Sequence, residues 1–301
     1  MLDKYLKPNR VMRAFTLLLA SVVFAGCSEN AEEMMPDGRL KIEVTASSVH
    51  SKAVIETQTL PDGQLIGLSL VDNGGKTYDN ITYQNIKAGS STGKTPQVWT
   101  LEQTPMLSNT AGTLYGYYPW QSSTQNFKVQ VDATLQTDYM YAEPVTGLDI
   151  TNATATVTMK HALAALRFKV VKGTYSGKGK LTGLSIQGSQ VARTGEMDMR
   201  TGALSTFTGT STEMIVPVNT ILTAQGTQHD VIFVPVTSVN DKLTIKAELD
   251  DNPFTVSIDK ISFQQGHIYN LTLTFNNKGA SLSNVKVDNW AYTDAGNLTV
   301  N

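Results

Sequence analysis

No stretch of this 301-residue chain beyond residue 26 keeps apolar side chains at a 3.6-residue period over twelve positions. That absence argues against helix bundles and α/β layers, because both need amphipathic helices to cover a core. What recurs instead is the short apolar run, broken by Gly, Pro, Asn or Ser. Leu40, Ile42, Val44 and Ala46 alternate with polar residues and so face one way on a strand. Pro61-Asp62-Gly63 turns the chain before a continuous apolar run at 65–71, the kind that fills the middle of a sandwich. Further runs fall at 81–86, 98–101, 114–118, 127–131 and 139–142, then at 181–186, 214–218, 231–236, 243–249, 254–261, 268–275, 285–290 and 298–300. Within 153–171 the two ends alternate like strands, while the alanine-rich middle has the composition for one helical turn. Short strands spaced by turn signals predict an all-β protein with very little helix. Two sets of roughly seven strands, parted near Thr151, predict two sandwich domains, residues 39–150 and 151–301.

The first 26 residues differ in character. Lys4, Lys7, Arg10 and Arg13 precede an almost wholly apolar run, 14–25. A run of about a dozen residues is short of the ~20 that cross a bilayer as a helix, so residues 1–26 read as a cleavable export signal. Small residues followed at once by Cys27, the only cysteine, resemble a bacterial lipobox. The resemblance implies cleavage between Gly26 and Cys27 and acylation of Cys27, including palmitate. Two or more acyl chains hold a protein firmly to a membrane, at about 0.8 kcal/mol per buried methylene. Residues 27–38 are acidic and aperiodic, as suits a solvated tether, and resemble the acidic export signal of some bacterial surface lipoproteins.

Removing residues 1–26 leaves 20 basic and 25 acidic residues, a formal charge of −5. That balance argues against nucleic acid as a partner, since such binding needs a clustered basic face. A single cysteine provides no disulfide framework and no thiolate metal cluster. His50, His161, His229 and His267 are scattered, with no HExxH spacing, and Cys27 is committed to lipid. Gly177-Lys178-Gly179-Lys180 has neither the length nor the hydroxyl of a phosphate-binding loop. Asp250-Asp251-Asn252 reads as a charged hairpin turn more readily than as a calcium site. No catalytic residue, cofactor or metal site is therefore expected. Tyr115-Gly116-Tyr117-Tyr118-Pro119-Trp120 offers flat faces on which sugars stack, but Tyr115 and Tyr117, two apart, are expected to point into the core.

Several of these pieces agree in order and spacing. They are the lipobox at Cys27, the strand 40–45, Ser51-Lys52-Ala53-Val54 leading to Leu65-Ile66-Gly67-Leu68, and Tyr115-Gly116-Tyr117-Tyr118-Pro119. Asp138-Tyr139-Met140-Tyr141-Ala142 follows, then 159–168 around His161, Gly266-His267-Ile268-Tyr269-Asn270-Leu271, and 285–290. Together they resemble the fimbrillin-like lipoproteins of Bacteroidales, subunits and tip or anchor proteins of type V pili. The resemblance implies two transthyretin-like β-sandwich domains, no enzyme activity and a structural role in adhesion. It implies assembly by strand exchange: a protease cuts after a basic residue, the first strand leaves, and a neighbour's strand fills the gap. Here the departing strand would be 40–46, with the cut after Lys52 or Arg39. The donor strand would lie at 285–300, offering Val285, Val287, Leu298 and Val300. The implied partners are other pilus subunits, the outer membrane through lipid on Cys27, and a host or bacterial surface ligand. The implied place is the outer membrane surface, then the fimbrium. The alternative is a non-polymerising surface lipoprotein that captures glycans through exposed Trp99, Tyr118 and Trp120.

Overall fold

The computed structural model describes residues 37–46, 60, 62–90 and 99–290. Their regular structure is strand apart from one 3-10 turn at Ala133–Leu135, with turns and loops between the strands. The first nine strands are β1 (Lys41–Ala46), β2 (Leu65–Asp72), β3 (Tyr83–Ser90), β4 (Trp99–Leu101), β5 (Gly112–Tyr118), β6 (Lys128–Asp132), β7 (Met140–Ala142), β8 (Val145–Leu148) and β9 (Thr154–His161). The rest are β10 (Ala164–Lys172), β11 (Lys180–Gln187), β12 (Val191–Ala192), β13 (Thr194–Asp198), β14 (Leu204–Thr208), β15 (Met214–Ile215), β16 (Thr220–Ile221), β17 (Thr227–Pro235), β18 (Asp241–Leu249), β19 (Asn252–Ile261), β20 (His267–Asn276) and β21 (Gly279–Asn289). The chain is all-β, as its punctuation predicts.

A first lobe is built on one sheet in the order β1-β9-β7-β5-β2-β3-β4, with β8 also on β5. β9 buries every second residue, Ala155, Val157, Met159 and His161, because one of its faces meets water. The run flagged at 65–71 is the interior strand β2, buried at six consecutive positions and so covered on both faces. The second lobe stacks the sheet β12-β17-β10-β20-β21 on the sheet β15-β11-β18-β19, with β16 also on β11. Leu166, Phe168, Leu271 and Leu273 of the one sheet share a core with Leu184, Ile186, Leu243 and Ile245 of the other. Phe263 stands at the centre of an edge-to-face trio, 4.8 Å from Phe233 and 4.7 Å from Tyr269 between ring centroids.

The alanine-rich stretch forms no helical turn. Ala162 and Leu163 link β9 to β10, and β10 begins at Ala164. Residues 162–165 are all fully buried, so packing on every side overrides alanine's helical preference.

The lobes are joined by more than this link. β6 pairs antiparallel with β13, from Thr194 opposite Asp132 to Asp198 opposite Lys128, and β14 adds a third strand. Tyr117, Val129, Val131 and Tyr139, from the first half of the sequence, belong to the second lobe's core. At the end of this small sheet Arg200 grips Asp198 with two bonds, Nε to Oδ1 at 3.0 Å and Nη2 to Oδ2 at 2.6 Å, while Lys128 Nζ lies 3.6 Å from Oδ2. The guanidinium also lies 5.0 Å above the Phe127 ring.

Tyr117 fixes the middle of the first sheet. Its ring fills the space over Gly67, where an added Cβ would sit 2.0 Å from Tyr117 Cε1. Its hydroxyl donates to Asn85 Oδ1 at 2.7 Å and accepts from Gln121 N at 3.0 Å. Because Tyr117 is wholly enclosed, Gly67→Ala is expected to cost about 1–3 kcal/mol of stability by overpacking, read from urea denaturation. Arg200, chiefly through its side-chain bonds, holds the Asp198 carboxyl below its ordinary value. A depressed carboxylate contributes stability above its unfolded pKa of about 3.9 and loses it as pH falls through the folded value. Asp198→Asn should therefore melt below wild type at pH 7, and the gap should close as thermal scans move below about pH 4.

Candidate functional site

β1 is the edge strand that comes first in the chain. Among the described residues it pairs only with β9, in parallel, from Lys41 opposite Thr154 to Ala46 opposite Met159. Just before it the chain changes partner: Leu107 N donates to Gly38 O at 2.6 Å and Leu40 N to Pro105 O at 3.0 Å, after which Lys41 N donates to Ala153 O at 2.8 Å. Gly38 is needed there. Its φ is +68°, and a Cβ would lie 2.8 Å from Leu107 O. The alternation read from the sequence holds, since Leu40 is 3% exposed and Ile42 8%, while Lys41 and Glu43 face water. Burial of such side chains is worth about 1.5–3 kcal/mol each. Without β1, the free edge of β9 and the apolar side of the first core would both face solvent.

The candidate cut sites differ in setting. The Arg39 side chain is exposed, but its backbone is engaged, with N donating to Asp37 Oδ1 at 3.0 Å and a bridge to Met106. Lys52 lies outside the described residues, as do Gly26, Cys27 and the rest of 1–36.

At the other end of the chain, Val285 and Val287 lie on β21, which pairs antiparallel with β20, and both pack against the second core. Leu298 and Val300 lie outside the described residues. The chain leaves β21 through Trp290, 2% exposed, whose N donates to Gly266 O at 2.7 Å. The indole stacks on the His161 ring with centroids 4.5 Å apart and planes 9° from parallel, and His161 Nδ1 lies 2.8 Å from Asp138 Oδ2. His161 ends β9, and the next residue, Ala162, donates its N to Tyr139 O at 2.8 Å. The stack thus sits where the chain passes from one lobe to the other. Sequence reasoning singled out Asp138, His161, Gly266 and Trp290 in separate motifs, and nothing in their spacing shows that they meet.

The remaining candidates are structural. His229 Nε2 lies 3.0 Å from Thr227 Oγ1 and burial pushes its pKa down; His267 Nδ1 lies 2.7 Å from Gln265 O. His50 lies outside the described residues. Among the described residues no group of three or more His, Cys, Asp or Glu could hold a metal ion. Asp250 and Asp251, at φ 49° and 62°, turn β18 into β19, and Gly179 N and Lys180 N donate to the Asp250 carboxylate at 2.8 and 2.9 Å. Trp99 is buried, and Tyr118 is half-buried with its hydroxyl 2.9 Å from Gln64 Oε1. Half-buried Trp120 donates Nε1 to Asn85 O at 3.3 Å and carries Lys87 Nζ 5.1 Å above its ring. Tyr115 is half-buried, edge-on to Phe127 at 5.8 Å. Trp290→Ala should remove the plug at the lobe junction and cost about 3–5 kcal/mol in chemical denaturation, with Trp290→Phe, which keeps a ring on His161, losing clearly less.

This architecture has relatives. A putative cell adhesion protein of Bacteroides uniformis superposes with a TM-score of 0.66 at 22% identity, covering 84% of this chain and 98% of its own. One from Bacteroides ovatus gives 0.65 at 17% identity, covering 85% and 99%. A fimbrial protein of Bacteroides vulgatus gives 0.52 at 13% identity, covering 84% and 99%. No curated protein sequence matches the chain. At these identities the superpositions establish the shared fold. The family model described as fimbrillin-like matches residues 51–290, most of the chain, and the chain therefore belongs to the fimbrillin-like family.

Proposed function

We propose that this chain is a structural subunit of a bacterial surface fimbria, exported as a lipoprotein and assembled by exchange of β1, in support of adhesion. The observation that carries the reading is β1 itself: an edge strand from the start of the fold, bonded along one side to β9, with Leu40 and Ile42 filling the first core. Such a strand is replaceable by another of the same pattern, because a neighbour's backbone supplies the same hydrogen bonds and its alternate side chains the same apolar volume.

In this reading Cys27 carries the lipid and anchors the precursor in the outer membrane. Cys27, β1 and Lys52 follow one another in sequence. A cut after Lys52 would therefore leave the lipid joined to the rest of the fold only by the non-covalent hold on β1 and on the residues just before it. Arg39 is the poorer site, since a protease needs an extended substrate and the Arg39 backbone is already bonded on both sides of the scissile peptide. The donor role falls to Leu298 and Val300, because Val285 and Val287 already pack within their own lobe. The division into two sandwich domains, expected at 39–150 and 151–301, belongs to the same proposal, with its changeover placed at Ala162-Leu163, where β9 of the first sheet gives way to β10. The glycan-capture alternative has less to rest on, since Trp99 is buried and Lys87 caps Trp120.

The test is limited proteolysis of non-acylated protein with a Lys/Arg-specific protease, followed by intact mass and electron microscopy. The expected result is one early cut after Lys52, loss of the fragment that holds β1, and fibres that Lys52→Ala abolishes. A β1 fragment that stays bound through gel filtration, with no fibres formed, would overturn strand exchange.

A further inference from the structure

The outer face of the second lobe carries a hollow of about 680 Å³ that neither the fold nor β1 exchange uses. Its origin lies in how β11 is bordered. β16 pairs with β11 only at Lys180 and Leu181, and β15 only at Ser185 and Ile186. Between them the chain arches past Pro217, which has no N–H to give to a ladder. Opposite the arch the strand is bulged between Leu181 and Gly183, and Gly183 leaves the floor without a side chain; a Cβ there would meet Glu248 Cβ at 3.1 Å. The hollow therefore follows from one proline and one glycine facing each other across a strand edge.

Its lining has two parts. Ile215, Pro217, Val218 and Pro253 give apolar walls; Ile215, and Ile221 outside the lining at the far end of the arch, are 60% and 66% exposed, the most exposed large apolar side chains among the described residues. The polar part is unbalanced. Glu213 is engaged by the Ser185 hydroxyl and by Lys246 Nζ at 3.5 Å, and these contacts, the Ser185 bond first, hold its pKa down. Lys246 is the one cation in the lining. Glu248 and Asp251 line the same hollow, and neither carboxylate has a hydrogen bond or ion pair to any described residue. No aromatic ring lines it, so it lacks the flat face on which a sugar stacks.

We propose that this hollow binds an extended peptide segment of a partner protein through an arginine or lysine, with the cationic head between Glu248 and Asp251 and apolar neighbours against Ile215 and Ile221. Charge complementarity selects the occupant: two solvent-exposed carboxylates that share a hollow with apolar side chains fit a cation on a hydrocarbon stem, and a guanidinium bonds a carboxylate with two parallel N–H donors. The volume falls within the range of ligand sites, about 300–1,000 Å³. Exposed isoleucines at both ends of the arch favour a segment several residues long over a lone cation. The site lies on the second lobe and does not depend on β1 exchange.

The test is an amide NMR titration of the labelled, non-acylated chain with the peptide Ala-Val-Arg-Val-Ala, against the same peptide with Glu for Arg and against guanidinium ion alone. The expected result is saturable shifts centred on Gly183, Glu248 and Asp251 for the arginine peptide only, weakened by added salt. The double substitution Glu248→Gln, Asp251→Asn should raise Kd by about tenfold or more while leaving the rest of the spectrum in place. Equal shifts from the Glu peptide, equal shifts from free guanidinium, shifts elsewhere, none at all, or an unchanged Kd in the double variant would each overturn the proposal.

Discussion

An all-β chain must satisfy the backbone of every strand on both sides or cover the edge it leaves, and this constraint bears hardest on β1. Most of the first sheet is antiparallel and formed from segments close in sequence, such as β2 with β3 and β3 with β4. β1 instead crosses to β9, more than a hundred residues away, and runs parallel to it. Parallel pairing is slightly weaker per residue, and long-range pairing brings its loop-closure cost with it. β1 is therefore held mainly by what its side chains bury. Leu40 and Ile42 supply that burial in the first core.

The opposite holds at the lobe junction. The Trp290 indole, the His161 imidazole and the Asp138 carboxylate lie in one buried stack, and each comes from a different part of the chain. A buried polar group is costly unless it has partners, so such a stack tolerates few substitutes. Around it, Gln265 Nε2 donates to Ala162 O at 3.0 Å and to Gly202 O at 2.7 Å, and Gly202 in turn sits where a Cβ would lie 2.3 Å from the Tyr141 ring. Loops of the second lobe are thus locked onto β7 and the β9–β10 link of the first. The β6–β13–β14 sheet repeats the connection with backbone bonds. The first strand is held by its pattern of alternation, and the middle of the fold by the identity of particular side chains.

How much of this is legible in the sequence follows from the same distinction. Alternation marks β1, β9, β18 and β20, and a continuous apolar run marks β2, because period and burial are local properties. β13 and β14 give no such signal: Thr194–Asp198 carries Gly195 and two acids, and Leu204–Thr208 is largely polar. They exist as strands because β6 offers an edge far away in sequence. The 162–165 stretch misleads in the other direction, since helical propensity says nothing about four residues enclosed on all sides. For the sites, residue identity is readable while company is not. His161 and Trp290 stand out singly, and their stacking depends on the whole topology. Gly183 and Pro217 read as ordinary punctuation, and only their placement across one strand edge opens the hollow.

The two cores bear on how a change at β1 would spread. Leu40 and Ile42 belong to the first core alone, while Trp290 belongs to the second, together with Tyr117, Val129 and Val131 from the first half of the chain. Packing communicates through contact, so loss of β1 acts on β9 and on residues such as Val157 and Met159 before anything else. β10, β20 and β21 do not pair with β1, but the ring partner of Trp290, His161, ends β9 two residues beyond the last residue that β1 pairs. Trp290 is therefore tied both to the second core and to the end of the strand that β1 pairs. A change at β1 would thus reach the second core through the end of β9, where the His161 and Trp290 rings meet.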